Sequence, residues 1–324
     1  MEYRKLGNSG TEVSVLCLGC MSFGEPGRGT HTWTLDEEES RSIIRYAVEK
    51  GINFFDTANV YSAGSSEEIV GRGLKDFARR DEVVIATKVH GNMRVGPNGG
   101  GLSRKSIFHE IDQSLRRLET DYIDLYQVHR WDQSTPLEET LDALDHLVQV
   151  GKVLHLGASS MLAWQFSKSL HTAEARRNSR YITMQNHFNL LSREDEREMI
   201  PLCLDQNIGL LPWSPLARGR LARTVDSVSA RSTSDNFASD LYDSRSGVNK
   251  VLETIEKLSC LRGVPRAQIA LAWVRHQPGV IAPIVGASKI SHLDDALAAV
   301  DLLLSDAELK ELDEVSKLPD IRTF

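Results

Sequence analysis

Four side chains in the first half of the chain have the types needed to protonate a carbonyl oxygen: Asp56, Tyr61, Lys88 and His129. Reducing a carbonyl puts negative charge on oxygen as hydride reaches carbon, and a donor must deliver a proton there. A free phenol titrates near ~10, too high for easy exchange at neutral pH. An ammonium beside it favours the phenolate, so Lys88 is expected to lower the value of Tyr61. Asp56 would hold Lys88 in place and charged, and His129 would orient the carbonyl oxygen or assist the proton transfer. No side chain supplies hydride, so the chemistry requires a bound cofactor. Taken singly, each residue has a plainer reading: a turn or cap for the Asp, a solvated Lys, a structural His, a turn Tyr. What favours a site is that all four follow successive apolar runs.

Those runs are the elements that must position them. Eight short stretches rich in Ile, Val, Leu or Phe read as strands: 15–20, 53–57, 83–88, 123–129, 153–159, 182–186, 208–214 and 281–285. Amphipathic helices alternate with them. Thr34-Leu-Asp-Glu37 reads as a capping box, with Ile43, Ile44, Ala47 and Val48 as the stripe behind it and Gly51 as the stop. Ile107, Ile111, Leu115 and Leu118 mark another helix. Thr135-Pro136 opens a third, closed by Gly151, and Ser305-Asp-Ala-Glu308 caps a last one. Eight strand-helix units predict a (β/α)8 TIM barrel, preceded by a short β-hairpin around Gly7-Asn8-Ser9-Gly10 that would plug its bottom. A doubly wound dinucleotide fold would want G-x-G-x-x-G after an early strand, and the sequence has none. Residues 1–324 read as one domain. Two long polar loops, 90–101 and 218–247, interrupt the alternation. In such a barrel chemistry collects at the C-terminal strand ends. Read in order, those ends carry Asp56 with Tyr61 beyond it, Lys88, His129, Ser159, Gln185, Trp213-Ser214 and Gly286.

Composition narrows the partners. With 41% apolar and 26% charged residues the chain has a soluble, globular balance, which excludes disordered and collagen-like classes. Its 38 basic and 45 acidic residues leave a net charge of -7, so neither nucleic acid nor an anionic membrane is an expected partner, and an anionic ligand needs a local basic pocket. Four Cys cannot form a dense disulfide frame, which fits a cytoplasmic protein. Cys17-x-x-Cys20 lies in an apolar run without a second pair and reads as core rather than as a metal site. No apolar stretch approaches the ~18 residues of a membrane span.

The segments GINFFDTANVY, VVIATKV, DYIDLYQVHRWD, LGASS, LLPWSPLARGRL and PIVGASK together resemble the aldo-keto reductase family over nearly the whole chain. The resemblance is strongest to its bacterial branch related to potassium-channel β subunits, the YajO type. It implies a barrel that uses NADPH without a Rossmann domain, and a catalytic tetrad of Asp56, Tyr61, Lys88 and His129 with Tyr61 as general acid. Ser159 and Gln185 match positions that bond the nicotinamide carboxamide, with Ser160 standing where the family often has Asn. Trp213 matches the aromatic on which nicotinamide stacks. Ser214, Leu216, Ala217, Arg218 and Gly219 match the loop around the pyrophosphate, to which Arg218 adds positive charge. Gly286, Ser288 and Lys289 match the adenosine 2′-phosphate site near a helix start. His292 and Asp295 stand near the adenine, with Ala296 in place of a family amide. Arg220 and Arg223 read as exposed loop charges rather than phosphate ligands. Trp33, Trp131 and the long loops would line the substrate pocket.

The resemblance implies a reductase of small-molecule carbonyl compounds, with no metal. The alternatives are a nucleotide-sensing regulatory subunit of the potassium-channel β type and a metal-dependent barrel hydrolase. The hydrolase would want clustered His ligands, and no His-x-His pair occurs among the ten His residues. The substrate and the oligomeric state are not encoded in any motif.

Overall fold

The computed structural model describes residues 1–29, 33–223, 241–242 and 247–318. Strands β1 (Tyr3–Lys5) and β2 (Glu12–Ser14) form the antiparallel hairpin. Eight parallel strands follow: β3 (Cys17–Gly19), β4 (Phe54–Asp56), β5 (Val84–Val89), β6 (Ile123–Val128), β7 (Val153–Ser159), β8 (Tyr181–Gln185), β9 (Gly209–Leu210) and β10 (Ile284–Gly286). They lie in the order β10-β3-β4-β5-β6-β7-β8-β9. Backbone bonds close the ring: Leu210 N donates to Gly279 O (2.9 Å), Ile281 N to Leu210 O (3.0 Å) and Ile284 N to Pro212 O (2.8 Å). Helices α1 (Glu37–Glu49), α2 (Ser65–Phe77), α3 (Arg104–Arg117), α4 (Leu137–Gln149), α5 (Ala163–Arg176) and α6 (Met199–Asp205) lie between strands. After them come α7 (Val248–Arg262), α8 (Arg266–His276), α9 (Ile290–Asp301) and α10 (Asp306–Ser316). This is the (β/α)8 TIM barrel with an N-terminal hairpin that the alternation predicts.

The seventh strand is shorter than the predicted 208–214 because Pro212 has no N–H to give the ladder. Its pairing nevertheless continues, since Leu211 N reaches Met184 O (2.9 Å) and Trp213 N reaches Asn186 O (2.8 Å). The first capping box is corrected. Leu35 is still extended, its N–H bonded to Ser22 O (2.7 Å), so Asp36 rather than Thr34 caps α1 by accepting from Glu39 N (3.0 Å). The last box stands as predicted: Ser305 Oγ accepts from Glu308 N and Glu308 Oε2 from Ser305 N. Most of the loop at 218–247 lies outside the described residues.

Inside the ring, alternation sorts the side chains into layers. Leu6 and Val13 of the hairpin join Cys17, Phe54, Val84, Ala86 and Leu125 in one apolar cluster at the bottom. Gly7 lets the hairpin seat, for at φ +58° a Cβ there would meet Ile182 O at 2.1 Å. Two residues further up each strand the same inward parity delivers Asp56 after Phe54, Lys88 after Ala86 and Gln127 after Leu125. Register aligns Lys88 with Gln127 and Ser159 with Gln185. The barrel is therefore greasy below and polar above. Cys17 and Cys20 belong to the packed interior as free thiols, and burial pushes both well above the ordinary thiol value.

Candidate active site

Lys88 is the hub of the polar layer. It is fully buried, and its three N–H donors are all used: Nζ donates to Asp56 Oδ2 (2.5 Å), Thr57 O (2.8 Å) and Tyr61 Oη (3.2 Å). Asp56 spends its other oxygen, Oδ1, accepting from Gln127 Nε2 and Gln185 Nε2, both at 2.9 Å. Tyr61 arrives from beyond β4. Thr57 N bonds to Ala86 O and Asn59 N to Lys88 O, which carries the β4–β5 pairing upward to a turn at Tyr61–Gly64. Ser62 and Ala63 are both left-handed there, at φ +47° and +49°. His129 extends β6, its N–H on Val89 O (2.9 Å). Its ring meets that of Tyr61 edge-on, 5.8 Å between centroids at 81°. The structure thus brings Asp56, Tyr61, Lys88 and His129 together.

The electrostatics differ from expectation at Tyr61. Burial pushes its phenol up and Asp56 adds to this, while the Lys88 ammonium pulls it down. The balance leaves Tyr61 above its ordinary value, so the expected lowering is overturned and the group keeps its proton at neutral pH. Burial also opposes the charge on Lys88, but Asp56 and Tyr61 outweigh it and hold the ammonium above its ordinary value. Burial first, then the positive charges of Lys88 and Arg130, hold His129 well below its ordinary 6.5, so the imidazole is neutral. Burial likewise lowers His90, His155 and His292. A group lowered by folding binds more protons when unfolded, so stability is present above the unfolded value and lost as pH falls. Urea unfolding midpoints are therefore expected to drop between pH 7.5 and 5.0, and His129→Gln is expected to flatten that slope. An equal slope in the variant would deny His129 its part.

Around the rim, Ser159 is buried with Oγ 3.1 Å from Ser160 Oγ. Ser160, left-handed at φ +49°, accepts from Trp213 Nε1 (3.0 Å). Gln185 turns its amide nitrogen to Asp56 Oδ1 and to Gln127 Oε1 (3.2 Å). Trp213 is half-buried and stacks on His187, with centroids 4.1 Å apart at 12°. After it, Ser214, Ala217, Arg218 and Gly219 all have positive φ, with Leu216 between them. Successive turns of this kind gather backbone N–H groups into anion-binding concavities.

The last rim segment is open and basic. At exposed Gly286, nothing lies within 4 Å of where a Cβ would sit. Ser288 N and Oγ lie 3.3 and 3.5 Å from His292 Nδ1. Exposed Lys289 stands at the start of α9. Burial and then the Lys289 charge lower His292, Asp295 opposes them, and Arg223 adds a smaller lowering. Arg223 is half-buried rather than an exposed loop charge. Its guanidinium lies so close to Gly219 that a Cβ there would meet it at 2.8 Å. Neither Arg223 nor Lys289 has a carboxylate partner among the described residues. Asp295 is tied to Gln268 Nε2 (3.1 Å). These features fit a ligand with an aromatic ring at one end and phosphates at the other. Among the described residues no group of His, Cys, Asp and Glu could hold a metal, and no helix is long and apolar enough to cross a membrane.

Three site residues escape the sequence reading. Gln127 had a signal, its inward parity two positions before His129. His187 and Tyr242 had none, because 55 positions separate two groups that meet at 2.7 Å. Trp131 is joined by exposed Trp164, 5.9 Å between centroids, in the first turn of α5.

A sequence profile described as the aldo/keto reductase family matches residues 15–317. A versiconal hemiacetal acetate reductase of Aspergillus parasiticus is 42% identical over 97% of this chain and 96% of its own length. A Schizosaccharomyces pombe protein, whose name assigns it provisionally to the aryl-alcohol dehydrogenases, is 42% identical over 96% and 95%. An aldo-keto reductase of Alternaria alternata is 40% identical over 97% and 91%. These relatives are fungal, so they lend no support to the bacterial branch related to potassium-channel β subunits.

Proposed function

This chain belongs to the aldo/keto reductase family, and from that premise we propose that it is an NADPH-dependent reductase of aldehydes and ketones with Tyr61 as its proton donor. The observation that carries the reading is the Lys88 ammonium bonded at once to Asp56 and to the Tyr61 hydroxyl, with neutral His129 against the same phenol ring. Bound NADPH would supply hydride to the carbonyl carbon. Trp213, Ser159 and Gln185 would hold its nicotinamide end, the 214–219 turn its diphosphate, and Ser288, Lys289, His292 and Arg223 its 2′-phosphate. Tyr61 gives its proton to the carbonyl oxygen. Lys88 stabilises the phenolate left behind, and Asp56 keeps Lys88 charged and aimed. His129 presents an N–H to the same oxygen and fixes its direction.

A carbonyl panel assayed with NADPH and NADH side by side tests this. It is weighted toward aryl aldehydes, because Trp131 beyond β6 and Trp164 at the start of α5 form an aromatic pair, and because two relatives are named for aryl-alcohol and versiconal substrates. Oxidation of NADPH in preference to NADH is expected. Lys289→Met and Arg223→Ala are each expected to raise the NADPH KM about tenfold, the size of one charge-assisted bond, and to leave that for NADH unchanged. Retained NADPH binding without turnover on any carbonyl would overturn the reductase and favour the regulatory-subunit reading.

A further inference from the structure

We infer that His187 and Tyr242 are positioning residues for the Trp213 platform, and that Tyr242 couples this platform to the phosphate-binding turn. The inference rests on the NADPH reading above. Trp213 is fixed by its indole N–H on Ser160 and by the His187 ring against one face. An imidazole stacked 4.1 Å from an indole serves as a floor only if its own rotation is blocked. Two bonds block it: Nδ1 lies 3.2 Å from Ser192 Oγ and Nε2 lies 2.7 Å from Tyr242 Oη.

The neighbours also assign the tautomer. Ser192 Oγ donates to Glu194 Oε2 (3.1 Å), so toward His187 it can only accept. Nδ1 therefore carries the proton, and Nε2 accepts from the Tyr242 hydroxyl. Asn189 Nδ2 donates to the same Tyr242 oxygen (3.1 Å) and to Ser214 O (2.9 Å), the residue directly after Trp213. Every donor in the chain Asn189–Tyr242–His187–Ser192–Glu194 thus points the same way and ends on a carboxylate. Hydrogen bonds that run in one direction along a chain polarise and reinforce one another.

Tyr242 is completely buried although it belongs to the segment between the barrel's seventh and eighth strands. Its ring packs edge-on against His187 (5.6 Å, 65°), and the Arg220 guanidinium lies 5.9 Å from its centroid. Burial and then the Arg220 charge lower Arg223. One phenol therefore bonds both His187, which packs against the Trp213 platform, and Asn189, which holds Ser214 at the head of the 214–219 turn.

The test is a double-mutant cycle on NADPH affinity, read by quenching of tryptophan fluorescence without carbonyl substrate. His187→Ala is expected to weaken binding about tenfold, the size of one aromatic contact. Tyr242→Phe is expected to weaken it about fivefold, the size of one hydrogen bond. Because Tyr242 acts on the platform through His187, the double variant should be little weaker than His187→Ala. The carbonyl KM at saturating NADPH should not move. A second readout needs no cofactor: nitrogen-15 spectra of histidine-labelled protein should show the imidazole that disappears in His187→Ala as the Nδ1–H form, with the same tautomer in Tyr242→Phe but its Nε2 signal shifted by loss of the hydroxyl's bond. Melting temperatures identify any variant that fails to fold, and Tyr242→Phe removes only one oxygen. Fully additive effects, unchanged affinity in both variants, or an Nε2–H imidazole would overturn the inference while leaving the reductase reading standing. An unsubstituted chain that does not bind NADPH would overturn both.

Discussion

Tyr61→Phe is expected to lower carbonyl reduction by about 10³–10⁴-fold, near the upper end of what a positioned proton donor contributes, while NADPH still quenches tryptophan fluorescence as before. The variant keeps the ring that His129 packs against and removes only the hydroxyl that Lys88 donates to. The direction of the phenol's shift sets the pH dependence. Burial holds Tyr61 above its ordinary 10.0, so the proton it must give is present throughout the neutral range. Because His129 is neutral there too, kcat/KM for reduction should be flat from about pH 7 to pH 9 and decline only where the phenol ionises. Stopped-flow NADPH oxidation on an aryl aldehyde measures both effects. Undiminished turnover in the variant would remove Tyr61 from the chemistry.

The polar layer also marks where sequence reading stops. Barrel and tetrad are legible because both follow from periodicity: the eight apolar runs give the strands, and polar residues that close such runs fall at one mouth. Parity within a strand is equally local, so Gln127 could have been found by stepping back two from His129. The sign of Tyr61's shift is not local. It depends on whether burial or the Lys88 charge wins, and this comes from packing by several elements. His187 and Tyr242 lie further out of reach, since their meeting depends on how a long inter-strand segment returns to the rim. Arg223 was misjudged for a related reason. A charge in a polar loop is usually solvated, but this one is folded back beside Gly219.

Lys88→Met is the harsher test of the same layer, because it separates what the ammonium does for the fold from what it does for the reaction. Its removal leaves the Asp56 carboxylate buried, with Oδ2 stripped of its cation and only the two glutamines bonded to Oδ1. Breaking a buried pair in this way costs about 3–5 kcal/mol, which urea denaturation reads as a lower midpoint at constant slope. Lys88 is held above its ordinary 10.5 in the fold, so its stabilisation is fully present below that value and fades as pH rises through the folded one. The gap between parent and variant should therefore be widest at neutral pH and close in strong alkali. Adding Asp56→Asn to Lys88→Met removes the orphaned charge and is expected to recover most of the stability. Turnover should not return, because the phenolate left on Tyr61 still has no cation beside it. Recovery of both together would mean that Lys88 only neutralises Asp56. Recovery of stability alone would assign the ammonium to the phenol, as the 3.2 Å bond between them implies.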